Sequence, residues 1–147
     1  MLPTLKALYT RDLLKLKAEI EAYRKEENIW KTDGAIANSA GNLCLHLIGN
    51  LNHYIGNILG GSGYVRNREL EFSQKNVPLA ELFSMIDCTI TVVDQSLDKI
   101  SFEQLKEEYP ILVFTEKTSV EFLIVHLVMH LSYHLGQISY HRRLLDN

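Results

Sequence analysis

Cysteine is scarce in this chain, and clustered positive charge is missing altogether. The 147 residues contain two cysteines, Cys44 and Cys88, with no CxxC spacing. They are too few for a disulfide framework, and a reducing cytoplasm is the simplest home. The net charge is -3, and the lysines and arginines mostly alternate with Glu and Asp, as in KLKAEIEAYRKEE. That pattern is a solvated helix face, and it argues against a nucleic-acid binder, which needs a clustered Lys/Arg surface to neutralise phosphates. The N-terminal MLPTLKALYTRD has charges from Lys6 onward and no unbroken apolar core, so a secretory signal is not expected.

Long apolar runs are also few. Two stretches are free of charged residues over a membrane-like length, Gly34 to Val65 and Phe122 to Tyr140. The first is broken by five asparagines and several glycines, which disqualifies it as a span of about 20 apolar residues. The second holds His126, His130, His134 and Gln137, all costly against lipid. It is expected to be a buried helix of a soluble protein.

No strand pattern of comparable length competes with four helical segments, so the expected fold class is all-α. The length suits one domain over 1–147. The first helix is expected from about Leu2 to Glu26, with Leu5, Leu8, Leu13, Leu16, Ile20 and Tyr23 on one stripe. A second, from about Ser39 to Leu59, carries Leu43, Leu47, Leu51, Ile55 and Ile58 on one side and stops at Gly60-Gly61. The third starts near Pro78 and runs to about Ile100, although the β-branched run Thr89 to Val93 lowers its helix propensity. The fourth begins at Thr118 or Ser119, where Thr118 and Glu121 have capping-box spacing, and continues to about Leu145.

Roughly 17 residues separate the second helix from the third, and a similar number the third from the fourth, well beyond common hairpin loops. At about 3.3 Å per extended residue, each link can run back along a helix of about 30 Å. The expected arrangement is therefore a four-helix bundle, up-down-down-up, with long crossover connections. SGYVRNRELEFSQKN and SFEQLKEEYPILVFTEK are the crossovers, and PILVF is a candidate short extended piece. The GGSG run lacks a following GK[ST] and reads as a flexible joint.

Four of the six histidines lie in VEFLIVHLVMHLSYHLGQISYHRRLL. At about 100° per residue, His126, His130 and His134 advance only about 40° per step and form one ridge. Two imidazoles at i and i+4 can hold one ion, but the outer two are about 12 Å apart along the axis, so only one neighbouring pair can serve a single metal. A third ligand has to come from the second helix, where His46 and His53 share an uncharged polar stripe with Ser39, Asn42, Asn50 and Asn57. Such a stripe faces a polar cavity or a subunit contact rather than plain solvent. Against the metal reading stands the structural one, in which His126 and His53 are hydrogen-bonded core residues. His141, beside Arg142 and Arg143, is explained by a helix C-terminus, and Cys44, about 160° around the helix from His46, is expected in the core.

The combination of NLCLHLIGNLNHYIG, RNRELEFS and HLSYHLGQISYHRR, with HxxxHxGQ at His130, His134, Gly136 and Gln137, resembles the DinB/YfiT-like family of metal-dependent helical bundles. The resemblance covers essentially the whole chain. It implies an up-down-down-up bundle, commonly a homodimer, in which three histidines bind zinc, nickel or a similar divalent ion. The ligand positions it implies are His46, His130 and His134. Relatives of this kind include bacillithiol transferases and mycothiol-dependent isomerases, which activate a low-molecular-weight thiol.

Three neutral imidazoles leave a divalent ion its full charge and an open position, where a water is acidified or a thiol is held as the nucleophilic thiolate. The expected function is a divalent-metal-dependent enzyme acting on a small molecule, a thiol transferase in the first instance. A metal-dependent hydrolase and a non-enzymatic metal- or haem-binding bundle are the alternatives. Asn50 and Gln137, each about one turn from a ligand, are candidates for orienting imidazoles or substrate. Glu69 and Glu71 are candidates for a base, and Arg66, Arg68 and Arg142 for holding an anionic tail.

Overall fold

A computed structural model describes residues 1–147. The chain is all-helical, with five α-helices and no strands. Helix α1 spans Leu2–Glu21, α2 Ala40–Leu51, α3 Arg68–Ser73, α4 Leu79–Asp98 and α5 Val120–Leu145. A wide π-helical turn, Asn52–Leu59, continues α2, and 3-10 turns occupy Glu26–Trp30 and Gln104–Lys106. No helix is long and apolar enough to cross a membrane.

The four long helices enclose one core, with α1 packed on α4 and α5, and α2 on the same two. Leu5, Leu13, Leu16 and Ile20 of α1 meet Leu82, Ile86 and Leu97 of α4 and Leu123, Leu127 and Leu131 of α5 in that cluster. Polar contacts fix the register. Lys6 pairs with Asp94 and Asp98 while Lys17 pairs with Asp87. The Tyr9 hydroxyl donates to the Ile124 carbonyl, and Arg142 bonds Glu19 at 2.8 Å. Asn52 Nδ2 donates to Thr89 Oγ1 at 2.9 Å.

The β-branched run of α4 is helical throughout, because Thr89 and Val93 are buried against the core; the Thr89 hydroxyl donates to the Met85 carbonyl and accepts from Asn52. Helix α1 ends at Glu21 rather than Glu26. Asp146 accepts from the backbone N–H groups of Arg24 and Lys25 and from Asn28 Nδ2, which holds the following segment in a non-helical path. Ser119, not Thr118, caps α5 by accepting from the Phe122 N–H, so the Thr118–Glu121 capping box does not form. PILVF makes no extended piece. The only pairing in that crossover is a bridge between Glu108 and Ser119; Pro110 cannot donate to a ladder, while Ile111 and Val113 turn individually against the core.

Candidate metal centre

Helix α2 is buried on every side, because the first crossover folds back over its polar face as α3. Asn42 Nδ2 donates to the carbonyls of Glu71 and Gln74, and Lys75 reaches Asn42 Oδ1. These bonds seat α3 so that its Glu71 carboxylate, 6% exposed, enters between Gly49 and His46. The buried part of the polar stripe, Ser39, Asn42, His46 and Asn50, is thus enclosed within the chain itself and gives no support to the expected homodimer.

Glu71 is the centre of a short chain of polar groups. Its Oε1 lies 3.0 Å from His46 Nδ1, and Arg66 grips both carboxylate oxygens, Nε to Oε2 at 2.8 Å and a terminal nitrogen to Oε1 at 2.9 Å. Burial raises the Glu71 pKa, but the hydrogen bonds and charge of Arg66 and His46 outweigh it, and the net shift is downward. An ionised Glu71 accepts the Nδ1 proton of His46, which leaves Nε2 with a free lone pair. The more distant approach of Arg66 to the same nitrogen, 3.4 Å, is secondary.

Three imidazoles converge at that lone pair. His46 Nε2 is 3.3 Å from His130 Nε2, which is 3.1 Å from His134 Nε2. His134 Nδ1 stands 2.7 Å from Gln137 Oε1, so its proton is also on the outer nitrogen and its Nε2 faces inward as an acceptor. His130 can donate one proton to two facing lone pairs and cannot satisfy both well. A cation resolves the conflict. Ligands held tetrahedrally at about 2.0–2.1 Å stand about 3.3–3.4 Å apart, close to the spacings found here. The three ligand atoms all lie within 4.8 Å of one another, a group able to hold a metal ion. Burial, then the neighbouring imidazoles and Arg66, pulls the His130 pKa down to about 4, and burial chiefly lowers that of His134. Both are neutral near pH 7, as ligands must be.

The remaining histidines separate cleanly. His126 packs on Phe114 and stacks at 6.3 Å on His130, outside the ligand group. His53 lies edge-on to Tyr54 in the π-turn, and burial lowers its pKa. His141 is 3% exposed, not a solvated helix-end cation. It faces the Tyr23 hydroxyl through Nδ1 at 2.6 Å and the Lys31 carbonyl through Nε2 at 2.8 Å, so Nε2 carries the proton. Cys44 is buried in the core as expected, with its thiol pKa pushed up to about 12 by burial.

Two cavities flank the histidines. One, of about 390 Å³, is lined by His46, Asn50, Tyr54, Arg66, Arg68 and His130, among others. The other, of about 470 Å³, has walls from Ile36, Leu43, Tyr133, Tyr140 and Leu144, with His134 and Gln137 at its edge. Asn50 and His130 each leave a buried polar atom unpaired, Oδ1 and Nδ1. Arg142 is held by Glu19 on the outside of the bundle and lines neither cavity. Glu69 is exposed and takes no part. The role of Glu71 beside His46 was not legible as such, since a carboxylate 25 positions away shows no spacing signal.

Among curated proteins the chain has no match. A family of DinB-like proteins does match it, over residues 9–147, and His46, His130 and His134 lie inside the matched region. By that match, which spans nearly the whole chain, the protein belongs to the DUF1572 family, described as a protein of unknown function.

Proposed function

We propose that the protein is a divalent-metal-dependent enzyme of the DinB/YfiT-like kind, with zinc or nickel held by His46, His130 and His134, and that it transfers a low-molecular-weight thiol to an electrophile. The observation that carries the reading is the inward turn of three Nε2 atoms, two of them fixed by outward Nδ1 bonds to Glu71 and Gln137. Three neutral nitrogen ligands keep the full charge of a divalent ion and leave room for one more donor, which favours the thiolate over the thiol. The sulfur lone pair forms a bond to the electrophilic carbon. The bond to the leaving group breaks with its electron pair, and the thiol proton ends on the leaving group or in solvent.

The chain's own residues would do the positioning. Glu71 orients His46 and raises its basicity, with Arg66 holding the carboxylate in place. Gln137 does the same for His134. Asn50 shares a cavity wall with His130 and is the candidate to serve it; Asn50 Oδ1 and His130 Nδ1 are both unpaired and do not bond each other in this structure.

The proposed architecture is the up-down-down-up bundle. Contacts of Lys6 with Asp94 and Asp98 and of Lys17 with Asp87 support opposite senses for α1 and α4. Tyr9 with Ile124 and Glu19 with Arg142 support a common sense for α1 and α5. Asn52 with Thr89 and Gly56 with Val92 do so for α2 and α4. A homodimer remains part of the proposal, supported by exposed Phe122, Met129, Tyr133, Tyr140 and Leu144 along α5.

Elemental analysis of untagged protein tests the centre. One divalent ion per chain is expected, with loss in His46→Ala and in His130→Ala. Stoichiometric metal in both variants would sink the ligand assignment. Product analysis with and without added thiol then separates transfer from hydrolysis.

A further inference from the structure

The cavity between α2, α3 and α5 contains two guanidinium groups in different states. Arg66 is committed, since both oxygens of Glu71 occupy its fork and its charge lies over the Tyr54 ring at 5.6 Å. Arg68 is not. It forms no ion pair with any carboxylate. Its guanidinium rests 5.6 Å from the Phe72 ring, and Phe72 packs 5.0 Å from the ring of His46. A single aromatic ring therefore spaces a free cation from a metal-ligand candidate.

The walls of this cavity include no Asp or Glu; the other groups facing it are the neutral side chains of Asn50, Tyr54, Val113 and Leu127 and the histidines. Its volume of about 390 Å³ is within the range that holds a small ligand. Arg68 is solvent-exposed at the rim of the cavity, and with no carboxylate of the chain paired to it, its fork is open to an anion supplied from outside. One free guanidinium matches one monoanion. Its planar fork suits a carboxylate, and its seat on an aromatic face holds the fork ready.

We propose that this cavity is the carboxylate subsite for the thiol cosubstrate, with Arg68 as the recognising cation and Arg66 confined to positioning Glu71. The proposal rests on the thiol-transfer reading for its sulfur end, while the anion subsite has a test of its own. It defines the cosubstrate class as a small thiol carrying a carboxylate within reach of its sulfur.

Two arms keep these apart. In the first, metal-free protein is titrated with S-methyl-N-acetylcysteine and with its amide, followed by NMR; the capped sulfur cannot ionise. The acid is expected to bind about tenfold tighter than the amide. Arg68→Ala is expected to bring the two to parity by weakening the acid alone, and Arg68→Lys to recover part of the difference. In the second arm, cobalt-loaded protein is titrated with N-acetylcysteine and its amide, read by the sulfur-to-cobalt absorption band, with the same order of affinities. Equal binding of acid and amide by wild type in the first arm, no binding of the acid there, or a preference that survives Arg68→Ala would overturn the subsite. If no cobalt band forms with either thiol while the first arm shows the preference, the metal reading fails and the carboxylate subsite stands.

Discussion

Glu71 illustrates how one side chain links fold and chemistry. It is buried, ionised and placed against His46 Nδ1, and only glycine at position 49 leaves room for it. A Cβ on residue 49 would fall 2.0 Å from Glu71 Oε2. Gly49→Ala should therefore displace the carboxylate, and Glu71→Gln should remove its charge while keeping its shape. Each is expected to weaken zinc affinity by about 10–100-fold without loss of helical circular dichroism; competition with a chromophoric chelator measures it, and wild-type affinity in both variants would remove Glu71 from the centre. His141 makes the second case. Burial lowers its pKa from the ordinary 6.5, so the folded state prefers the neutral ring. The associated stability is complete above about pH 6.5 and is lost as pH falls toward the lowered value, because the unfolded chain then binds the extra proton. Metal-free wild type should lose more unfolding free energy than His141→Phe between about pH 7.5 and about pH 5.5 in urea titrations; equal losses would show that the ring does not couple. The histidine ridge was legible from spacing because i+4 neighbours share a helix face. The pairings of Glu71 with His46 and of Asn42 with the crossover were not, since partners about 25 to 30 residues apart have no periodic signature.

At the scale of elements, long periodic helices were legible and short ones were not. The six-residue α3 presents less than two turns of pattern, so the crossover read as a plain link although it carries the carboxylate. The π-turn after α2 was equally hidden, because i→i+5 bonding has no compositional mark. Its effect is visible in the site. His46, Asn50 and Tyr54 line one cavity at steps of four, where the widened turn offsets the drift that a regular α-helix accumulates. Helix α5 raises a different question at Gly136. No atom lies within 4 Å of the Cβ it lacks, so packing within one chain does not require glycine there. Mid-helix glycine costs about 1 kcal/mol relative to alanine. Gly136→Ala is expected to raise the unfolding free energy of the monomer by about that amount in urea titration. If α5 is the dimer face, the same substitution also weakens self-association in sedimentation equilibrium, because the added methyl opposes close approach. Unchanged stability would mean that a constraint within the monomer offsets the gain in helix propensity.

For the whole molecule, a shared cation would be a tie between distant parts of the chain. His46 and His130 are 84 residues apart, and the segments between them include both crossovers and α4. Periodicity made the long helices readable from the sequence, but not which polar residues would seat the crossover against α2. An unfolded chain does not preform the site, so binding free energy adds to folding free energy. Saturating zinc at about 100 times its dissociation constant should stabilise the fold by about 2.7 kcal/mol, and the melting temperature should keep rising with free zinc above that point. Both effects should vanish in His46→Ala and persist in His126→Ala, since His126 lies outside the ligand group. A zinc response in wild type that survives His46→Ala would place the ion elsewhere. Loss of the response in His126→Ala as well would imply that the stacked ring at 6.3 Å supports His130 more strongly than its geometry suggests. The tie would also have a mechanical consequence: an ion held by His46, His130 and His134 would clamp α2 to α5 between the two cavities. Among amides that exchange by local opening, hydrogen exchange should therefore slow on metal addition in α3 and in the N-terminal half of α2, which reach the ion through Glu71 and Asn42, and not in α4, which supplies no ligand; amides that exchange only by global unfolding slow throughout. Slowing confined to α5 would mean that His130 and His134 hold the ion without His46, and the centre would then be a two-residue site on one helix.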